Sequence, residues 1–194
     1  LEEPPQNVYF ILLSKTLNII STIKSRTIKF HLSGMNNDEL GVSKEIYYFF
    51  DGNENDILEF KKQNLSLDDI EFKINTVEDI LQIIFEMKNY ATGELAIKNN
   101  LDLEIKYNKS IELLAHRIRF WDIENVYFFI NEIENELKKE KEFLINFLSK
   151  IIINVKYSVG SNELKKLINL KNSIRSNVNV KSVIFNFFDI LQSS

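Results

Sequence analysis

LEEPPQNVYFILLSKTLNIISTIKSRTIKFHL, residues 1–32, is the stretch on which the reading of this chain turns. Val8 to Leu13 is an unbroken apolar run with β-branched and aromatic members behind turn residues, the pattern of a strand buried on both faces. Thr27 to Leu32 alternates, with Ile28, Phe30 and Leu32 on one side and Thr27, Lys29 and His31 on the other, as a half-buried strand does. Between them Leu17, Ile20 and Ile23 recur at helical spacing, so the piece reads strand, short helix, strand. Two strands do not bury an inner strand, and no later segment supplies neighbours for it. The chain is therefore expected to be the C-terminal part of a longer protein with further strands upstream.

Beyond Leu32 the pattern turns helical. Ser33-Gly34-Met35-Asn36-Asn37 is turn-rich and places a boundary there. Ser43 is a cap for a helix carrying Ile46, Phe49 and Phe50, which Asp51-Gly52-Asn53 ends; Ile57, Leu58 and Phe60 mark another short helix. Ser66 with Asp69, and Thr76 with Asp79, resemble capping boxes with Asp in place of Glu or Gln. The second opens a helix whose face holds Val77, Ile80, Leu81, Ile84 and Lys88 and which stops near Thr92-Gly93. From residue 105 five amphipathic faces follow: Ile111 to Ile118, Val126 to Leu137, Leu144 to Val155, Leu164 to Ile174 after the break at Gly160, and Val180 to Leu191 behind Asn179. Faces this broad close a core of their own. The expected fold is mainly α, with two strands and a short helix left from an α/β core over 1–32, a small helical domain over 33–104 and a five-helix-type bundle over 105–194.

Composition narrows the classes. With 44% hydrophobic and 27% charged residues in 194, the chain is that of a soluble globular protein with one or two cores. No apolar run approaches the roughly 18 residues of a membrane span, and no signal-peptide pattern is visible. The chain has no Cys, which excludes disulfides and thiolate metal sites from this piece; a cytoplasmic setting is the default. A net charge of −4 argues against a general nucleic-acid binder, which needs clustered Lys and Arg. Residues 105–194 carry 14 Lys and Arg against 10 Asp and Glu, a local +4 that leaves −8 for residues 1–104. Two domains with different neighbours fit that asymmetry.

Leu1-Glu2-Glu3-Pro4-Pro5, the apolar run, the short helix and Thr22-Ile23-Lys24-Ser25-Arg26 together resemble the end of the AAA+ module in bacterial DNA polymerase III clamp-loader subunits, whose pattern is LEEPP, strand, sensor-1 turn, TIxSRC. Thr27 stands where that family usually has Cys. The resemblance implies that Arg26, with Ser25 beside it, is an arginine finger entering the ATP site of a neighbouring subunit. Charge on a transferring γ-phosphoryl group needs a fixed guanidinium, worth roughly 10³ to 10⁵ in rate in well-studied GTPases, and Lys is no equivalent. Ser14, after the first strand, lies near the family's sensor-1 polar residue. The family's lid carries a GSPGRAL-like sensor-2 turn; Ala91-Thr92-Gly93-Glu94-Leu95-Ala96 is the best counterpart and lacks the second Gly and the Arg, which favours a subunit that does not hydrolyse ATP. Residues 33–104 would be the lid and 105–194 the collar that holds the loader's subunits in a ring, and Arg175 with the run from Asn177 to Lys181 and the apolar last helix resembles the end of one subunit type. Implied partners are other clamp-loader subunits of γ/τ and δ type through the collar and the Arg26 edge, with the sliding clamp and primed DNA met through the assembled complex, and no membrane. No cofactor is implied in this chain, and ATP with magnesium is implied in the neighbouring subunit.

Other candidates have plainer readings. Asp68-Asp69 and Asp102 with Glu104 are paired carboxylates, but helix-start charge and solvated loops account for them. His31 and His116 lie on different elements with no Cys near, so no metal site is expected. Trp121 beside Arg117, Arg119 and Phe120 has the makings of a base-stacking site, against which a core or interface aromatic is preferred because Asp122 and Glu124 follow. Glu134 to Glu142 alternates sign as a solvated helix face, and Phe185, Phe187 and Phe188 read as core. No GxxxxGK[ST] loop is present, so the chain does not hold ATP phosphates in the P-loop manner. The rivals to the clamp-loader reading are a γ/τ-type ATPase with its P-loop upstream and a helical protein-protein adaptor.

Overall fold

The computed structural model describes residues 8–12, 21–28, 30, 33–67, 74–95, 100–176 and 178–193. The chain divides into two compact units, Leu1–Gly34 and Met35–Ser194, and is mainly helical, with no strand among the described residues.

In the first unit α1 spans Ser21–Lys24. Here the strand expectations are corrected. Val8, Tyr9, Phe10, Ile11 and Leu12 are all exposed and belong to no ladder, and Ile28 and Phe30 are exposed as well. Apolar, β-prone side chains make a strand only where a neighbouring backbone satisfies the ladder, and none of the described residues offers one. Leu1 to Pro5, Leu13, Leu17, Ile20, His31 and Leu32 lie outside the described residues.

The second unit begins with three short helices, α2 (Asn37–Leu40), α3 (Lys44–Phe49) and α4 (Glu54–Lys62). Each starts at a side-chain cap. The Asn36 Oδ1 accepts from the N–H groups of Asp38 and Glu39, Ser43 Oγ from Ile46 and Asn53 Oδ1 from Asn55. These helices bury Leu40, Phe50, Ile57 and Phe60 in a small core, while Leu58 is exposed. Two residues of left-handed conformation in sequence, Asp51 (φ 51°) and Gly52 (φ 71°), turn the chain between α3 and α4.

Six longer helices follow: α5 (Val77–Ala91), α6 (Leu101–Arg117), α7 (Ile123–Leu137), α8 (Lys141–Val155), α9 (Ser161–Ser173) and α10 (Val180–Ser193). A 3-10 turn over Ile118–Phe120 joins α6 to α7. The capping box read at Thr76 is present: Thr76 Oγ1 accepts from the Asp79 N–H at 3.2 Å, and Asp79 accepts from the Thr76 N–H at 2.9 Å. Asn179 accepts from the Ser182 N–H at 3.2 Å at the start of α10. The faces read from periodicity meet in one large core in which Phe129, Ile133, Leu144, Phe147, Ile151, Phe187 and Phe188 are fully buried. Phe188 and Trp121 both make T-shaped contacts with the Phe129 ring, at 5.3 and 5.5 Å between centroids.

α6 belongs to both cores. Leu101 and Ile105 pack with α2–α4, and Tyr107, Ile111 and Leu114 with the larger bundle. Residue 105, where the sequence reading starts the collar, therefore lies inside a continuous helix, and α5, assigned to the lid, packs into the bundle core. The run Glu134 to Glu142 is not one helix: α7 ends at Leu137 and α8 starts at Lys141, with Lys138 pairing back to Glu134 at 3.5 Å.

Candidate functional site

Arg26 is exposed in the turn that closes α1, its N–H donating to the Ile23 carbonyl at 3.1 Å. The hydroxyls around it are used locally. Ser25 Oγ donates to the Thr22 carbonyl at 3.0 Å and Thr27 Oγ1 to that of Ile23 at 2.9 Å, so both occupy the last carbonyls of the helix. A hydroxyl at Thr27 donates a stronger hydrogen bond to a helix-end carbonyl than a thiol would. Arg26 is thus exposed in a turn that its neighbours hold. Ser14, the sensor-1 candidate, lies outside the described residues.

In the second unit the densest polar constellation surrounds Lys150 on α8. Its ammonium bonds the Asp51 carboxylate and donates to Asn108 Oδ1 at 2.9 Å, stands 3.8 Å from Glu104 Oε1 and lies 5.8 Å from the centre of the Tyr107 ring. Asn108 in turn donates to the Phe49 carbonyl at 2.9 Å, tying α6 to the end of α3. Burial pushes the Glu104 carboxyl above its ordinary value, against the pull of Lys150, and Asp56 is raised for the same reason. The Tyr107 hydroxyl is held well above 10.0 by burial and by the carboxylates of Glu104 and Asp51. One lysine thus serves three carboxylates, two of which resist ionisation. That arrangement holds three segments together.

Lys88, which is buried, ends the inner face of α5 and stands 3.6 Å from Glu94 and 3.7 Å from Glu136. Its place on that face was readable from the spacing; its pairing with Glu136, distant in sequence, was not. Glu104 corrects the solvated reading given to it with Asp102. Asp102 is exposed and pairs with Lys106 at 2.6 Å, whereas Glu104 is largely buried. The signal was available, since Glu104, Asn108 and Ile111 fall at i, i+4 and i+7 on one helical stripe.

Of the remaining candidates, His116 is exposed on α6, and Trp121 is partly buried against Phe129 with its carbonyl accepting from Gln192 at 3.2 Å. Phe187 and Phe188 are core, but Phe185 is partly exposed against Tyr127, their ring centres 5.7 Å apart. Asp68, Asp69, Ala96 and Asn177 lie outside the described residues. Among the described residues no group of His, Asp and Glu is placed to hold a metal ion, and no helix is long and apolar enough to cross a membrane. Compared with protein-family models, with curated proteins and with solved structures, the chain matches none.

Proposed function

We propose that this chain is the C-terminal portion of a δ′-type subunit of a bacterial DNA polymerase III clamp loader, which helps place the sliding clamp on primed DNA. In this reading Arg26 reaches the ATP and magnesium of a neighbouring γ-type subunit, and residues 105–194 serve as the collar that seats the other subunits.

The observation that carries the reading is Arg26: it stands exposed at the end of Thr22-Ile23-Lys24-Ser25, in a turn held by the Ser25 and Thr27 hydroxyls. An arginine finger has to present its guanidinium to a neighbouring subunit from a held backbone, and an exposed Arg26 in a hydrogen-bonded turn supports that reading. The helical bundle after it agrees with a collar without specifying one.

The test is a loader reconstituted with Arg26→Ala and Arg26→Lys chains. DNA-stimulated ATP hydrolysis is expected to fall by roughly 10³-fold or more at the neighbouring site in both variants, because an ammonium does not reproduce the planar fork. An unchanged rate in the Ala variant, with assembly intact, overturns the assignment.

A further inference from the structure

Between α3, α6 and α8 runs an open groove of about 420 Å³. Its floor includes Phe49 and Ile111, and its rim carries Tyr48 and Ile153, 62% and 43% exposed. Tyr157, one turn beyond Ile153, is 91% exposed. Large apolar side chains left in water beside a concave surface mark a place where another molecule is received.

The charges along this groove are divided unequally between used and unused. The lysines are engaged: Lys109 donates to the Leu67 carbonyl at 2.6 Å, and Lys150 is committed to Asp51, Glu104 and Asn108. The rim carboxylates of Glu45 on α3 and Glu112 on α6 are exposed and pair with no cation among the described residues. The two exposed tyrosines already receive a positive charge. Lys156 Nζ lies 4.7 Å from the centre of the Tyr157 ring and 5.7 Å from that of Tyr48, so the rings present their faces to a cation.

We infer that the groove between α3, α6 and α8 docks a basic amphipathic segment of a partner protein. Its apolar side chains cover Tyr48 and Ile153, and its Arg or Lys side chains pair with Glu45 and Glu112 and replace Lys156 over the tyrosine rings. A phosphate-bearing ligand is disfavoured by the same carboxylates, which stand unneutralised where its charge would fall. The inference is independent of the role given to Arg26.

The test uses the whole chain and a short fluorescein-labelled peptide with Arg and Leu at helical spacing, alongside the same peptide with Glu replacing Arg. Saturable anisotropy with the basic peptide, falling as salt rises, is expected, with none from the acidic one. Glu45→Gln with Glu112→Gln is expected to weaken binding roughly tenfold or more, and Tyr48→Ala by a similar factor. All three residues are exposed, so circular dichroism of the variants is expected to match the parent. Unchanged affinity in the double Gln variant, equal binding of the acidic peptide or no saturable binding overturns the inference. Sedimentation showing a dimer that the double Gln variant dissolves assigns the groove to a second copy, and also overturns it.

Discussion

Lys150 holds its charge where 18% of its side chain meets solvent, and one of its partners, Glu104, is 13% exposed. Removing the ammonium leaves that carboxylate buried beside Asp56 with no cation, whereas Asp51, 40% exposed, rehydrates. Lys150→Met is therefore expected to destabilise the chain by about 3 kcal/mol, the low end of the range for breaking a buried pair. Adding Glu104→Gln is expected to recover most of that loss in urea titrations. A double variant no more stable than Lys150→Met alone sinks this account. Lys88 is the contrasting case: Glu94 and Glu136 are 59% and 48% exposed and stay hydrated without it. Lys88→Met should change stability by less than about 1 kcal/mol, since screened partners lose little and the methionine packs on the inner face of α5. Glu104 also sets a pH signature. Its folded value is raised above the ordinary 4.5, so its contribution favours the fold fully below 4.5 and is lost as pH rises through the folded value. Stability measured from pH 4.5 upward is expected to decline more in the parent than in Glu104→Gln. Identical slopes would exclude burial as the dominant influence on this carboxyl.

At the scale of elements, most helices were legible because their signals are local. A cap, a 3.6-residue apolar period and a stop residue are all written within one segment, as at Thr76, Asp79 and Gly93 around α5. Thr76→Ala is expected to cost about 1 kcal/mol in thermal or urea melts, the usual loss for a deleted cap. The Asp79 carboxyl in the same box is lowered below its ordinary 3.8 by the N–H groups of Asn75 and Thr76. Its contribution is thus present above 3.8 and lost as pH falls through the folded value, opposite in direction to Glu104 and in a lower window. The strands read over Val8–Leu13 and Thr27–Leu32 are not seen among the described residues for the converse reason, because a ladder needs a second backbone that local pattern does not reveal. The turn at Asp51-Gly52 was readable as a helix stop. That its left-handed backbone carries Asp51 to Lys150, far along the chain, was not.

For the whole molecule, sequence periodicity identified which faces are buried but not how the buried faces are shared. The boundary read at residue 105 rests on where a row of amphipathic faces begins and on a change of charge, and neither shows which core a helix closes. Leu101 and Ile105 close the small core of α2–α4 while the rest of the same helix closes the large one. A helix common to two cores couples them, because unfolding either one exposes apolar surface on the other's scaffold. Met35–Ser194 is accordingly expected to behave as one cooperative body and not as a separable lid and collar. A chain comprising 35–194 should show a single urea transition, with tryptophan fluorescence from Trp121 and far-ultraviolet dichroism coincident. Native-state hydrogen exchange should place amides of Ile57 and Phe60 in the same opening class as those of Ile111 and Phe147. Two resolved transitions, with α2–α4 melting first while Trp121 stays buried, would show that α6 transmits no stability between its halves and would restore a domain boundary within residues 92–105.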